Sequence, residues 1–221
     1  MKVYVWDLPI RLVHWLLVAL LCFSWWTATE SQMQLHRFSG YAIFTLVLFR
    51  IYWGFVGSVT ARFARFVRGP AAIISYSRSI FQRSSISVTG HNPLGGWNVV
   101  ILLTFLLSQV LLGLFAVDVD GIESGPLSYL VSFEAGRAAA KLHERVFHLL
   151  EVLIALHLAA ILFYRFYKQQ NLTAAMIVGT KRLPLSEAAA GGRLTYSWRA
   201  ATIGLTICAL LVTAVARGLR W

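Results

Sequence analysis

Charged residues, acids and cysteines are all scarce in this chain of 221 residues. Charged side chains make up 13% of the sequence and hydrophobic ones 58%, which excludes an ordinary soluble domain. Cys22 and Cys208 are the two cysteines, so neither a disulfide framework nor a thiolate metal cluster is indicated. This composition indicates a membrane protein.

Five apolar runs are long enough to cross a bilayer, which takes roughly 20 residues per helix. Backbone groups cannot stay unpaired in lipid, so we predict that each run is helical and that together they form an all-α integral membrane bundle. The first run is longer than the apolar core of a typical signal peptide, and we expect it to be retained. The runs are Leu8–Ala28, Leu35–Val56, Pro93–Val117, Leu142–Phe166 and Ala200–Ala216.

The loops between these runs differ in charge, although the net charge is +11. Residues 57–92 carry five arginines and no acid, whereas residues 118–140 carry Asp118, Asp120, Glu123 and Glu134 against Arg137. Basic loops stay in the cytoplasm, which predicts a cytoplasmic N-terminus and an outer C-terminus. The basic residues form no soluble module, so no nucleic-acid partner is expected.

We predict three regions along the chain. They are a four-helix core at residues 1–168, a cytoplasmic loop at 169–199 and an additional C-terminal transmembrane helix with its tail at 200–221.

Histidines within the apolar runs are the strongest functional signal, because ionisable groups are rare in lipid. His143 and His157 on the fourth run are separated by about 40° around the helix and about 21 Å along it. They therefore share a face at two depths. His148 lies about 140° from His143 and is predicted to point away. It remains the second choice as outer ligand.

Depth in the membrane predicts a partner for each of these histidines. His14 reaches the inner depth of His157, and His36 begins the second run at the outer depth of His143. Neutral imidazoles are good axial ligands of haem iron, so the sequence predicts two bis-histidine haem b sites in a helical bundle. Two filled axial positions favour electron transfer over oxygen or substrate binding.

Other residues near the predicted sites are consistent with haem. Gly40 lies one turn after His36 and would let a flat macrocycle approach the backbone. Arg50 and Arg11 are candidates to bind haem propionates, or alternatively to extend toward lipid phosphates. His91 is expected in a turn or at the surface before Pro93.

Four segments carry a family resemblance: VYVWDLPIRLVHW at Val3–Trp15, LHRFSGY followed by Arg50, GHNPLGGW at Gly90–Trp97, and LHERVFHLLEVLIALH at Leu142–His157. They resemble the bacterial cytochrome b561 and nickel-iron hydrogenase cytochrome b family over roughly residues 3–168. The resemblance implies a four-helix di-haem core in the bacterial cytoplasmic (inner) membrane that exchanges electrons between quinone and a partner protein or small oxidant. The redox partner predicted here is a hydrogenase or a periplasmic cytochrome. The family's ligand pattern falls on His14, His36, His143 and His157. The fifth run has no counterpart in that core.

Two other functions remain open from the sequence. A superoxide:quinone oxidoreductase is one, and a non-haem membrane anchor or metal transporter is the other. Transporters usually place their ligands near the midplane on broken helices, whereas these histidines form two layers. No catalytic residue is assigned, because whether the chain is an enzyme depends on a quinone site that the sequence does not locate.

Overall fold

The computed structural model describes residues 2–82, 90–120, 122–182 and 195–219. Five helices in these ranges are long and apolar enough to cross a membrane, which confirms the predicted all-α integral membrane bundle. The long helices are α1 (Leu8–Thr29), α2 (Met33–Val56), α5 (Pro93–Phe115), α6 (Phe133–Phe166) and α8 (Trp198–Ala216). Shorter elements are β1 (Lys2–Tyr4), α3 (Phe63–Phe66), α4 (Pro70–Arg78), a 3-10 turn (Ser128–Leu130), α7 (Leu172–Val178) and β2 (Thr180–Arg182).

Side-chain caps set where the long helices begin. Asp7 accepts a hydrogen bond from the backbone N–H of Ile10 at the start of α1, and Asn92 does the same for Gly95 in α5. Ser132 caps α6, which therefore begins at Phe133, earlier than the predicted Leu142. The added turns are rich in alanine and charged residues, so they form helix without being apolar enough to be read as part of a membrane span.

Helix α2 is the centre of the bundle. It packs against α1, α5 and α8, while α6 packs along α5. In the described residues the backbone of α6 makes no extended close approach to α1 or α2. Side chains bridge this wider space instead, as where the rings of Trp25 and Phe147 lie 6.4 Å apart. The four predicted histidine ligands lie on the helices that border this space.

A small two-stranded sheet closes one end of the bundle. Strand β1 pairs antiparallel with β2, so that Val3 is opposite Lys181. The guanidinium of Arg11 donates to the carbonyl of Ile177, which joins α1 to α7. Part of the predicted loop at 169–199 is therefore ordered as α7 and β2. Each strand has only three residues, too few for a period-two pattern to predict it.

Helix α8 packs on α2 through a close glycine contact. A Cβ at Gly204 would lie 2.2 Å from the ring of Tyr52, whose hydroxyl donates to the carbonyl of Ala200. At the far end of α8, the carbonyl of Gly218 accepts a hydrogen bond from Tyr129 in the α5–α6 connection. The chain therefore ends at the opposite end of the bundle from β1.

Candidate haem site

His36 and His143 face each other across the space between α2 and α6. Their ring centroids are 6.0 Å apart and their planes are nearly perpendicular, at 85°. A metal bond to a histidine nitrogen is about 2.0–2.1 Å long, so two such bonds together with the ring radii fill a separation of this size. The structure thus brings the predicted outer pair together, at a separation close to the one that two iron–imidazole bonds would span.

Backbone carbonyls fix the ring tautomer of both outer histidines. Nδ1 of His36 lies 2.9 Å from the carbonyl oxygen of Ser24, and Nδ1 of His143 lies 2.8 Å from that of Gln109. A carbonyl can only accept, so the proton is on Nδ1 in each ring. Nε2 is left with its lone pair, which is the form that binds a metal.

Two glycines shape the surroundings of the outer pair. A Cβ added at Gly113 would lie 3.1 Å from Cε1 of His143, so this ring lies directly on the backbone of α5. A Cβ added at Gly40 would meet nothing within 4 Å. The open surface at Gly40, one turn after His36, is what a flat macrocycle beside that ligand requires.

The predicted inner pair, His14 and His157, lie close enough to interact electrostatically. Nδ1 of His157 is 3.0 Å from the side-chain nitrogen of Asn98. The two ends of an amide exchange by rotation, so the oxygen of Asn98 can instead accept a proton carried on Nδ1. Nδ1 of His14 is buried and has no hydrogen-bond partner among the described residues. Asn98 was not predicted from the sequence, because a single polar residue on a long apolar helix does not form a pattern that indicates a ligand site.

Arg50 is buried rather than extended toward lipid phosphates. Only 7% of its surface is exposed, and its guanidinium lies 5.2 Å above the ring of Phe63. Its Nη1 has no hydrogen-bond partner in the part of the chain that the structure describes. Arg11 differs, because its guanidinium donates a hydrogen bond to the carbonyl of Ile177. A propionate role for Arg11 stays a prediction.

His91 is not the surface residue that the sequence suggested. Its ring lies 4.6 Å from the ring of Trp6 and 4.6 Å from that of Phe66. Burial, together with the nearby Arg50 guanidinium, lowers the pKa of His91 to about 3, so the ring is neutral. His91 does lie in the non-helical segment before Pro93, as predicted. The surface alternative does not hold, because Trp6 and helix α3 pack against the ring, and neither contact follows from local sequence.

His148 points away from the outer pair, as the helical wheel predicts. Its side chain is 66% exposed, and Nδ1 lies 2.9 Å from the carboxylate of Glu151. This position gives no support to His148 as the outer ligand.

The donor set of these pairs fits haem. Within the described ranges no group of three or more His, Cys, Asp or Glu side chains is placed to hold a metal ion. Each histidine pair supplies two imidazoles, the number that a bis-histidine haem takes from the protein, because the porphyrin supplies the other donors. The open surface at Gly40 and the buried, unpartnered Arg50 agree with a flat cofactor that carries carboxylates.

Comparison with known proteins gives one match. No curated protein and no solved structure matches the chain. The model of the prokaryotic cytochrome b561 family matches residues 5–179, a range that contains all four histidines and ends before α8. Proteins of this family transfer electrons across the membrane through haem b. The resemblance seen in the sequence is confirmed, and the chain belongs to the prokaryotic cytochrome b561 family.

Proposed function

We propose that this chain binds two b-type haems, one at each histidine pair, and carries electrons between the membrane quinone pool and a redox partner on the outer side. The observation that carries the proposal is the outer pair, in which His36 and His143 face each other at 6.0 Å with both Nδ1 atoms bound to carbonyls. When bound, haem supplies reversible one-electron chemistry at its iron.

The four histidines act as axial ligands in this proposal. His36 and His143 hold the outer haem, and His14 and His157 hold the inner one. With both axial positions filled by imidazole, no coordination site is left for oxygen, which suits a carrier rather than an oxidase. The carbonyls of Ser24 and Gln109 keep the outer rings in the ligating tautomer and orientation.

Residues around the ligands complete the two sites. Gly40 leaves room for the outer haem. Arg50 offers a buried positive charge to a propionate of the inner haem. Asn98 orients His157 through Nδ1. Arg50 is itself buried, and a low dielectric around it would strengthen its interaction with an anion.

The orientation of the chain in the membrane and the kind of redox partner are inferred from the distribution of charged residues. The basic loop at 57–92 supports an N-terminus in the cytoplasm of a bacterial cell, with the outer pair at the periplasmic side. There the acidic connection at 118–140 can attract a basic redox protein such as a periplasmic cytochrome, or a hydrogenase subunit can dock. Glu123 is already paired with Arg37, so Asp118, Asp120 and Glu134 are the acids left for such a partner.

A reduced-minus-oxidised visible spectrum of the purified protein, combined with haem quantification, tests the proposal. We expect low-spin b-type bands and two haems per chain. His36→Leu and His143→Leu should each reduce the content to one haem, because each removes an axial ligand of the outer site. The matched control His148→Leu should retain both.

Two outcomes would contradict this assignment. Absence of low-spin haem bands would favour the non-haem anchor or transporter. Loss of one haem in His148→Leu, with two retained in His143→Leu, would show that the outer ligand is misassigned.

Reduction of the haems by a short-chain quinol in membranes, compared with membranes that lack the protein, tests the link to quinone.

A further inference from the structure

Four buried side-chain nitrogens in the described residues near the inner end of the bundle have no hydrogen-bond partner; two of them belong to Arg11 and His14 on α1, and the other two lie outside α1. These other two are Nη1 of Arg50 and Nδ1 of His91. Phe66, which contacts the ring of His91, packs against Gly96 of α5. Two residues further along α5, Asn98 contacts His157, the proposed inner ligand, and His91 is also coupled electrostatically to Arg50 and His157. One surface beside the inner histidine pair therefore presents two unsatisfied donors, one of them on a positively charged group.

Aromatic rings hold both donors in place. Phe63 lies under the guanidinium of Arg50, and Phe66 lies against His91 on one side, with Trp6 on the other. Phe63 and Phe66 are themselves 5.6 Å apart on helix α3. The two donors are therefore fixed by a continuous aromatic wall, and neither side chain can swing toward water without unpacking it.

The loop that carries His91 is fixed by hydrogen bonds as well. The side chain of Asn92 accepts from the backbone of Gly95 and donates to the hydroxyl of Tyr164 at 2.9 Å. That hydroxyl also bonds to Tyr76 at 2.6 Å, which joins α4, α5 and α6. His91 is thus positioned by three helices, as a side chain that binds a ligand needs to be.

Nearby groups do not satisfy these donors. Asp7 attracts Arg50 through its charge, but its two carboxylate oxygens accept from the backbone of Ile10 and from the indole of Trp53. A buried donor without an acceptor is destabilising, and more so when it is charged. An acceptor from outside the protein chain is therefore expected here.

We propose that Arg50 and His91 together bind a carboxylate of the porphyrin held by His14 and His157. This inference rests on the proposed function and adds His91 as a second donor to the inner haem. A carboxylate fits better than the neutral carbonyl of a quinone, because a buried guanidinium gains most from an anion and can bind it through paired N–H groups. His91 adds a second hydrogen-bond donor to the guanidinium of Arg50.

Redox-induced infrared difference spectroscopy of the holoprotein tests this assignment. Cells fed a labelled haem precursor yield haems that carry ¹³C in their propionate carboxylates, so that the carboxylate bands are identified by their isotope shift. The variants are His91→Phe, which keeps an aromatic ring between Trp6 and Phe66, and Arg50→Gln, which removes the charge. The matched control is His148→Phe, on the exposed face of α6.

We expect a labelled carboxylate band of one haem to move in His91→Phe and in Arg50→Gln, and to stay in His148→Phe. Arg50→Gln should also disfavour reduction of that haem about tenfold, which corresponds to about 59 mV toward lower potential for a one-electron couple. His91→Phe should shift the potential in the same direction by less. His91→Gln, which retains a donor, should restore much of the wild-type band.

Unchanged labelled bands in both variants, with two haems still bound, would overturn the inference and leave the proposed function standing. Movement of bands from added quinone, in place of the labelled ones, would also overturn it and would assign the donors to quinone. If neither haem is present in the wild-type protein, the proposed function itself fails. Should His91→Phe not accumulate, Arg50→Gln and His91→Gln still decide the question.

Discussion

The orientation of the outer histidines depends on main-chain groups of neighbouring helices. Ser24 belongs to α1 and Gln109 to α5, and it is their carbonyl oxygens that accept from His36 and His143. The hydroxyl oxygen of Ser24 also lies 3.2 Å from Nδ1 of His36, but substituting the two side chains would leave the shorter carbonyl contacts in place. The rings are therefore aligned by helix packing, and changes that shift α1 or α5 should disturb the outer site more than substitution of Ser24 does.

Gly40 provides a test of cofactor space at the scale of one residue. A Cβ there meets no protein atom within 4 Å, so Gly40→Leu should be accepted by the protein alone but should occupy the surface needed by a macrocycle beside His36. We expect haem content to fall from two per chain to one, with unchanged helical content by circular dichroism. The control is Gly69→Leu, which also faces open space but lies outside the long helices. Two haems with wild-type spectra in Gly40→Leu would show that no macrocycle lies there.

Among the elements, α2 connects the histidine sites with the fifth helix. It carries His36 and Arg50, and through Tyr52 it packs against α8. None of the four predicted ligands lies on α8, and the family match ends before it. We therefore expect α8 to stabilise α2 without taking part in haem binding.

Gly204→Leu tests the role of α8. A Cβ at this position would overlap the ring of Tyr52, and overpacking of this kind typically costs about 1–3 kcal/mol. We expect a lower thermal unfolding midpoint with two haems still bound per chain. The neighbouring substitution Ile203→Leu, on an exposed position, should leave the midpoint unchanged. Loss of a haem in Gly204→Leu, at a temperature where the protein remains folded, would show that α8 supports a haem site directly.

At the scale of the whole molecule, the two ends of the bundle differ in what they hold. The sheet of β1 and β2, with α7, closes the end near His91, whereas Gly218 and Tyr129 meet at the other end. Exposed leucines and aromatics such as Leu149, Leu156 and Phe166 cover the sides of α6, as a helix facing lipid requires. Electron transfer along this axis would connect the two sides of the membrane.

Reporter fusions test the arrangement of the whole chain in the membrane. Alkaline phosphatase fused after residue 221 should be active, because five crossings from a cytoplasmic N-terminus end outside the cytoplasm. The same reporter fused at residue 196, before α8, should be inactive, and green fluorescent protein at that site should fluoresce. The reverse pattern would show that the basic loops face outward and that the outer and inner sites are exchanged.

Local physics made much of this protein predictable from its sequence. Because a segment that spans lipid has to be helical, the five apolar runs predicted the five long helices. The helical period then predicted that His143 and His157 share one face of their helix at two depths. Depth alone then paired them with His36 and His14. The ligand set stays a prediction, and it could be made from the sequence because these relationships act within one helix or along the membrane normal.

The tertiary structure decided which side chains from distant segments meet. Burial of His91 between Trp6 and Phe66, the contact of Asn98 with His157 and the pairing of β1 with β2 join residues up to about 180 positions apart. Neither hydrophobicity nor period encodes such contacts, since every apolar helix is equally at home in lipid and only side-chain packing selects its neighbours. The same packing brings two buried nitrogen atoms without partners in the described residues, Nη1 of Arg50 and Nδ1 of His91, to the inner end of the bundle.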